Sequence, residues 1–240
     1  MSGLAAGFID SIAGGGGLIS LAVLLSVGLP PQQALGTNKL QGCFGTLSAS
    51  YTYIRKGQAN LREAWLGIVT TFIGSMAGAW LIQRLNPALL ERLIPIMLAG
   101  VLVYTFFSKN LGYEAREAVV SKNLFFIVAG LSLGFYDGFF GPGTGAFWTA
   151  AMLLLLGYDM THSAGATRIM NFTSNIVALA IFALGQNVLY AAGLCMALGQ
   201  FIGARIGSNL AIKKGARFIR PIFLTVVFLT IVRLGFLYYF

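Results

Sequence analysis

An all-α, polytopic integral membrane protein made of two homologous halves is the fold class the sequence predicts. Three observations predict it: too little charge for a water-facing surface, apolar runs of membrane-spanning length, and a set of glycine motifs that occurs twice in the same order. Of 240 residues, 57% are apolar and only 10% are Asp, Glu, Lys or Arg; mean hydropathy is +0.80. A soluble domain carries about 25% charged residues and about 45–50% apolar ones. The composition therefore excludes an ordinary soluble enzyme, a disordered chain and a nucleic-acid binder. Glycine is abundant, with 31 residues. In an apolar chain, that abundance marks close helix contacts or interrupted helices.

The repeat is collinear. Gly7-Phe8-Ile9-Asp10 returns as Gly134-Phe135-Tyr136-Asp137, 127 residues on, and Gly14 and Gly16 match Gly141 and Gly143 at the same offset. Gly28, Gly36 and Lys39 then match Gly157, Gly165 and Arg168 at an offset of 129, as Phe72-Ile73-Gly74 matches Phe201-Ile202-Gly203. A drift of two residues over this length indicates a tandem duplication, with repeats at 1–121 and 122–240.

Each repeat reads alike. An apolar helix runs into a glycine-rich break at 14–17 or 141–145, followed by a short apolar piece at 18–29 or 146–157. About 12 residues at 1.5 Å each reach about 18 Å, too short for a hydrocarbon core of about 30 Å, so the break and short piece read as a broken, re-entrant hairpin. Three fuller helices are expected near 35–54, 61–83 and 89–108, and again near 164–184, 188–212 and 219–240. Only six residues precede Gly7, so the first helix reads as truncated relative to its counterpart. The N-terminus has no basic region and no small-residue cleavage site, and so does not read as a cleavable signal peptide.

A hairpin plus three spans reverses sidedness, so the halves are expected in inverted topology. The loops 55–62, 109–122 and 213–220 hold ten basic residues and fall on one side in this scheme, whereas the opposite loops hold only Arg84 and Arg92. Basic residues collect on the cytoplasmic face, which accounts for most of the net charge of +9.

Irregular backbone is tolerated in a membrane only where protein or a water-filled cavity satisfies it. The two breaks therefore predict a cavity near the midplane, with helix N-termini suited to an anion. The candidate binding residues are Gly14, Gly15, Gly16, Gly17, Asn38 and Lys39 in one half, and Gly141, Gly143, Thr144, Arg168 and Asn171 in the other. Lys39 and Arg168 are matched cations, each placed about one turn into a helix, so that neutralising an anion competes with snorkelling to the nearby face. Asp10 and Asp137 are matched acids just before the breaks. They suit pairing with Lys39 and Arg168, carrying a coupling proton, or capping the broken helix. Gln41, Thr173, Ser174 and Asn175 are polar neighbours on the same helices. Arg205, whose counterpart is Met76, lies eight residues before Lys213, about 12 Å inward along a helix, and is expected to have a buried partner or a substrate contact. Gly74-x-x-x-Gly78 and Gly199-x-x-x-Gly203-x-x-x-Gly207 read as close-packing faces.

The rest excludes chemistry. Cys43 and Cys195 form no CxxC pair. His162 is the sole histidine, and no nucleophile–base–acid set converges, so an enzyme is not expected and neither cofactor nor metal is called for. Gly14–Gly17 lacks the Lys and Ser/Thr of a phosphate loop.

The strings Gly7-Phe8-Ile9-Asp10-Ser11-Ile12-Ala13-Gly14-Gly15-Gly16-Gly17, Gly36-Thr37-Asn38-Lys39-Leu40 and Gly134-Phe135-Tyr136-Asp137-Gly138-Phe139-Phe140-Gly141-Pro142-Gly143-Thr144-Gly145 resemble the TauE/SafE family, also called the toluene sulfonate uptake permease family, in its YfcA-like branch. The resemblance spans nearly the whole chain. It implies a multi-pass transporter of the bacterial inner membrane that moves sulfite, a sulfonate or a related small anion, by alternating access with ion or proton coupling. A passive anion channel and a carrier of non-sulfur organic anions remain alternatives. The partners expected are a small anion and the lipid bilayer, with no nucleic acid.

Overall fold

A computed structural model describes residues 1–86, 117–214 and 218. Among the described residues every regular element is helical. Helix α1 spans Ser2–Ala13, α2 Gly16–Ser26, α3 Pro31–Arg55 and α4 Leu61–Ile82. After the undescribed stretch come α5 at Lys122–Phe139, α6 at Thr144–Ala151 (continued by a π-helical turn, Met152–Leu156), α7 at Met160–Leu184 and α8 at Tyr190–Lys214. The helices expected near 89–108 and 219–240, with Arg92, Lys109, Arg116, Arg217, Arg220 and Arg233, lie outside the described residues.

Helix starts follow local chemistry. Asn60 Oδ1 accepts from the Arg62 N–H at 2.9 Å and caps α4. Asp159 Oδ1 accepts from Thr161 N and His162 N at 2.8 and 3.0 Å and caps α7. Pro31 occupies the first turn of α3, where its missing N–H costs nothing. These caps start α3 and α7 earlier than the apolar pattern indicates, at 31 and 160 instead of 35 and 164.

Many polar side chains are buried beside the apolar core clusters, and much of the outer surface is apolar. On α3, Thr37, Lys39, Gln41, Ser48 and Thr52 are buried, whereas Phe44, Leu47 and Tyr51 are exposed on one stripe. On α4, Trp65, Val69, Phe72, Ile73, Met76 and Trp80 face outward. This arrangement suits lipid, which rewards no burial of apolar surface and leaves the interior to polar contacts. It also explains why only α4 and α7, among the described helices, are both long and apolar enough to count as spans on composition alone. At 25 residues, α3 and α8 reach about 37 Å. Their buried polar faces lower their mean hydropathy.

Glycine stripes set the helix pairs. A Cβ at Gly74 would lie 2.4 Å from the Leu131 carbonyl oxygen, and one at Gly78 would lie 2.1 Å from that of Phe135, so α4 and α5 pack backbone to backbone. Their counterparts Gly203 and Gly207 meet Leu4 and Phe8 of α1 in the same way. Contacts ascend together along α1 and α8, α4 and α5, and α3 and α8, so the helices of each pair run parallel. Gly193 meets Leu40, Gly45 meets Gln200, and Ser48 Oγ donates to the Phe201 carbonyl at 3.0 Å. Conversely, Gly36 at the start of α3 packs on Asn187 beyond the end of α7, and Gly165 near the start of α7 packs on Gln58 beyond the end of α3. Helices α3 and α7 thus run in opposite directions. These directions place Arg55, Lys56 and Arg62 at the same end of the bundle as Lys122, which bonds Glu63 at 2.7 Å, and as Lys213 and Lys214. Arg84 lies at the other end, 3.8 Å over the Trp80 ring.

Candidate functional site

Each break is narrower than the glycine runs indicate. Helix α1 ends at Gly14, which is left-handed (φ +83°), and its N–H reaches the Asp10 carbonyl at 2.9 Å. Asp10 Oδ1 then accepts the Gly16 N–H at 3.1 Å. One carboxylate thereby caps α2 and draws Gly16 and Gly17 into it, which corrects the expectation of a break through residue 17. At the second break the irregular residues are Phe140–Gly143. Gly141 and Gly143 take φ +99° and +86°, which side-chain-bearing residues rarely adopt. Thr144 Oγ1 donates to the Gly141 carbonyl at 2.6 Å, and Gly145 already belongs to α6. The two breaks touch, since a Cβ at Gly14 would lie 2.6 Å from the Gly145 carbonyl carbon.

Two ion pairs cross between the halves at this contact. Lys39 Nζ of α3 donates to Asp137 Oδ1 at 2.6 Å and to the Asp137 carbonyl at 2.5 Å. Arg168 Nη1 of α7 donates to Asp10 Oδ2 at 3.2 Å and to the Asp10 carbonyl. Each cation therefore holds a carboxylate and a carbonyl in the last turn of the other half's broken helix, where the helix dipole is negative. Lys39 is 2% exposed and Arg168 0%. Both lie more than two turns into their helices, not one, and their charged ends are engaged by buried carboxylates instead of extending to an end of the bundle. Ser174 Oγ donates to Asp137 Oδ2 and also lies 3.1 Å from the Asn171 carbonyl.

A polar cavity of about 30 Å³ sits between the breaks. That is room for about two ordered waters or one very small ligand. Among the residues expected to bind, Gly14, Gly17, Asn38, Lys39, Gly141, Gly143 and Asn171 line it, together with Asp10 and Asp137. Gly15, Gly16 and Thr144 are buried but do not line it, and Arg168 stands behind Gly145, its Nη2 3.0 Å from where a Cβ there would be. Gln41, Gly42, Gly145, Asn175 and Gln200 complete the wall. Gln200 was not legible from sequence: its helix carries no polar motif around it, and only the packing of α8 on α1 and α3 brings it inward. Several buried polar atoms at the site have no hydrogen-bond partner among the described residues: Arg168 Nη2, Asn171 Oδ1, Gln41 Oε1 and Gln200 Oε1. Buried polar atoms of this kind are rare in folded proteins, and ligand or water sites are where they collect.

Arg205 departs from expectation. It is exposed on α8, 5.7 Å above the Tyr51 ring, and joins neither ion pair. Eight residues before Lys213, its place on the helix faces outward, so depth along the axis did not imply burial. No group of three or more His, Cys, Asp or Glu that could hold a metal occurs among the described residues. A larger cavity of about 560 Å³ opens at the basic end, with Gln58, Glu63, Tyr158, Asp159 and His162 in its wall.

Comparison with known proteins identifies the family. The family model described as "Sulfite exporter TauE/SafE" matches residues 1–234. A "Probable membrane transporter protein" of Haemophilus influenzae is 42% identical over 227 residues, covering 95% of this chain and 89% of the relative. "Probable membrane transporter protein YfcA" of Escherichia coli K12 is 42% identical over 221 residues (92% and 82% of the two chains). "Probable membrane transporter protein ORF9" of a Sinorhizobium species is 40% identical over 229 residues (95% and 88%). No solved structure matches. With the family model spanning nearly its whole length and the paired breaks in place, the chain belongs to the TauE/SafE family of membrane transporters.

Proposed function

We propose that this protein carries a small sulfur-containing anion, such as sulfite or a sulfonate, across the bacterial inner membrane by alternating access coupled to an ion or proton gradient. The observation that carries the proposal is the crossed arrangement of Lys39–Asp137 and Arg168–Asp10 around one cavity at two touching helix breaks. An anion entering the cavity competes with a carboxylate for a cation. Because each pair ties one half to the other, that competition loosens a contact between halves, which is what a carrier must link to substrate binding. The family description supplies sulfite as the first substrate to try.

The repeats 1–121 and 122–240 are proposed to sit in inverted topology, with the basic end in the cytoplasm and the chain crossing the membrane several times. The opposite directions of α3 and α7 support this, as does the gathering of Arg55, Lys56, Arg62, Lys122, Lys213 and Lys214 at one end. The test is flux into liposomes loaded with the purified protein, using sulfite, thiosulfate, sulfoacetate and a carboxylate control. Uphill, gradient-dependent flux of a sulfur anion is expected. Flux that only equilibrates would make the protein a channel, and no flux of any sulfur anion would overturn the substrate assignment.

A further inference from the structure

We propose that the coupling ion is a proton carried by Asp137, taken up one for one with a monovalent anion so that transport is electroneutral. This rests on the transport reading above and names its co-substrate.

Charge count is the first reason. The site holds Lys39 and Arg168 against Asp10 and Asp137, a net charge of zero, with all four side chains buried or nearly so. A monoanion entering such a place leaves one uncompensated buried charge, which the interior of a protein tolerates poorly. One proton restores neutrality.

Geometry says where the proton sits. Among the described charged groups, Lys39 is the cation that lines the cavity, and its carboxylate partner is Asp137. For Lys39 to turn to the anion, Asp137 must become neutral. Ser174 is placed to accept a hydrogen bond from the protonated carboxyl. Its hydroxyl has two acceptors within reach, Asp137 Oδ2 and the Asn171 carbonyl at 3.1 Å. With Asp137 ionised, the hydroxyl donates to the carboxylate. With Asp137 protonated on Oδ2, the new O–H donates to Ser174 Oγ and the serine hydroxyl turns to the Asn171 carbonyl. Both states leave the Ser174 hydroxyl and Asp137 Oδ2 partnered. The proton arrives from water on one side of the membrane and leaves to water on the other, so no other reactant is needed.

Asp10 lacks this device. Its Oδ1 accepts a backbone N–H from Gly16 and its Oδ2 a guanidinium N–H from Arg168; both are donors only and cannot receive a proton. At the repeat offset, Ser174 corresponds to Gly45, which carries no hydroxyl. The charged and titratable groups around Asp137 are Lys39 and Cys43 on α3, Asp10 on α1, and Tyr136 beside it on α5, while Arg168 of α7 is engaged by Asp10. Helices α4, α6 and α8 contribute uncharged groups to this region, among them Ser75, Thr144 and Gln200.

The test is calorimetric binding of methanesulfonate, sulfite and thiosulfate to the full-length protein in detergent, in two buffers of different ionisation enthalpy. Methanesulfonate is the decisive probe because it stays a monoanion across the range. About one proton is expected per methanesulfonate bound, with Kd rising about tenfold per pH unit once Asp137 is ionised. In liposomes, a pH gradient should drive methanesulfonate uptake while a potassium diffusion potential alone should not. Asp137→Asn mimics the protonated carboxyl, and should bind the anion without proton uptake and without pH dependence. Binding with no proton uptake by the wild type would overturn the inference while leaving the transport reading intact. Proton uptake that persists in Asp137→Asn would overturn the assignment to Asp137. Failure of every sulfur anion to bind would overturn the reading on which the inference rests. The wild-type proton count decides whether a proton accompanies the anion even if the variant does not fold. Ser174→Ala, which removes the hydroxyl partner of Asp137 Oδ2, should then weaken proton uptake on binding, and an unchanged uptake would overturn the assignment to Asp137.

Discussion

Lys39 of the first half and Asp137 of the second meet at 2.6 Å with side chains 2% and 5% exposed. Arg168 and Asp10 repeat the pairing in the other direction at 3.2 Å. Each broken helix is thus closed by a cation from the opposite half of the chain.

Breaking one pair should cost more than replacing it. Lys39→Ala leaves Asp137 buried without its counter-charge, and a loss of about 3–5 kcal/mol in stability is expected. The double variant Lys39→Met with Asp137→Asn removes both charges, and should recover most of that stability while remaining without flux. Thermal melting in detergent and liposome flux measure the two effects. Lys39→Ala and Arg168→Ala are each expected to abolish transport, and wild-type flux in both would refute a cationic site.

The contact of the two breaks depends on Gly14. A methyl group there meets both a left-handed backbone and the Gly145 carbonyl carbon at 2.6 Å, which is backbone and cannot swing aside. Gly14→Ala should therefore destabilise by about 1–3 kcal/mol and abolish flux. Gly57→Ala is the control, having a positive φ of +70° but open space around it, and should retain flux.

Packing of α4 on α5 makes a separate prediction. Gly78→Leu places side-chain atoms where a Cβ alone would be 2.1 Å from the Phe135 carbonyl. Little folded protein should survive detergent extraction, as size-exclusion chromatography would report. The same change at Gly207 should act alike through Phe8, whereas Leu198→Ala, at an exposed position of α8, should be tolerated.

Topology is open to labelling. In a background lacking Cys43 and Cys195, cysteines at Gln58 and Leu184 should react with impermeant maleimide from opposite sides of the membrane. Reaction of both from one side would refute inverted halves.

At the basic end, stability should carry a pH signature from Asp159. Partial burial alone would raise this carboxyl, but hydrogen bonds from His162 and Thr161 outweigh burial and hold it below its ordinary value of 3.8. A depressed native value means that folding favours the ionised form. Its contribution is then present above the ordinary value and disappears as pH falls through the lower native one. Asp159→Asn keeps a capping oxygen but loses the charge. Its melting temperature should fall below wild type near neutral pH, and the two should converge in acid.

By itself the sequence determined the class and supplied the candidates. Composition reports the solvent directly, and motifs matched at a near-constant offset single out Asp10, Lys39, Asp137 and Arg168 without coordinates. Tertiary structure decided which candidate meets which. Lys39 and Asp137 are 98 positions apart, and no local periodicity specifies that a cation will pair across the halves instead of within one. It also decided that Gly16, Gly17 and Gly145 are helical, because capping by Asp10 and by the turn at Gly143 offsets glycine's poor helix propensity. Depth along a helix did not reveal that Arg205 faces outward and Gln200 inward, since that depends on which neighbour α8 packs against. The hydroxyl that makes Asp137 unlike Asp10 belongs to Ser174, a residue ordinary in sequence and distinguished only by where α7 places it.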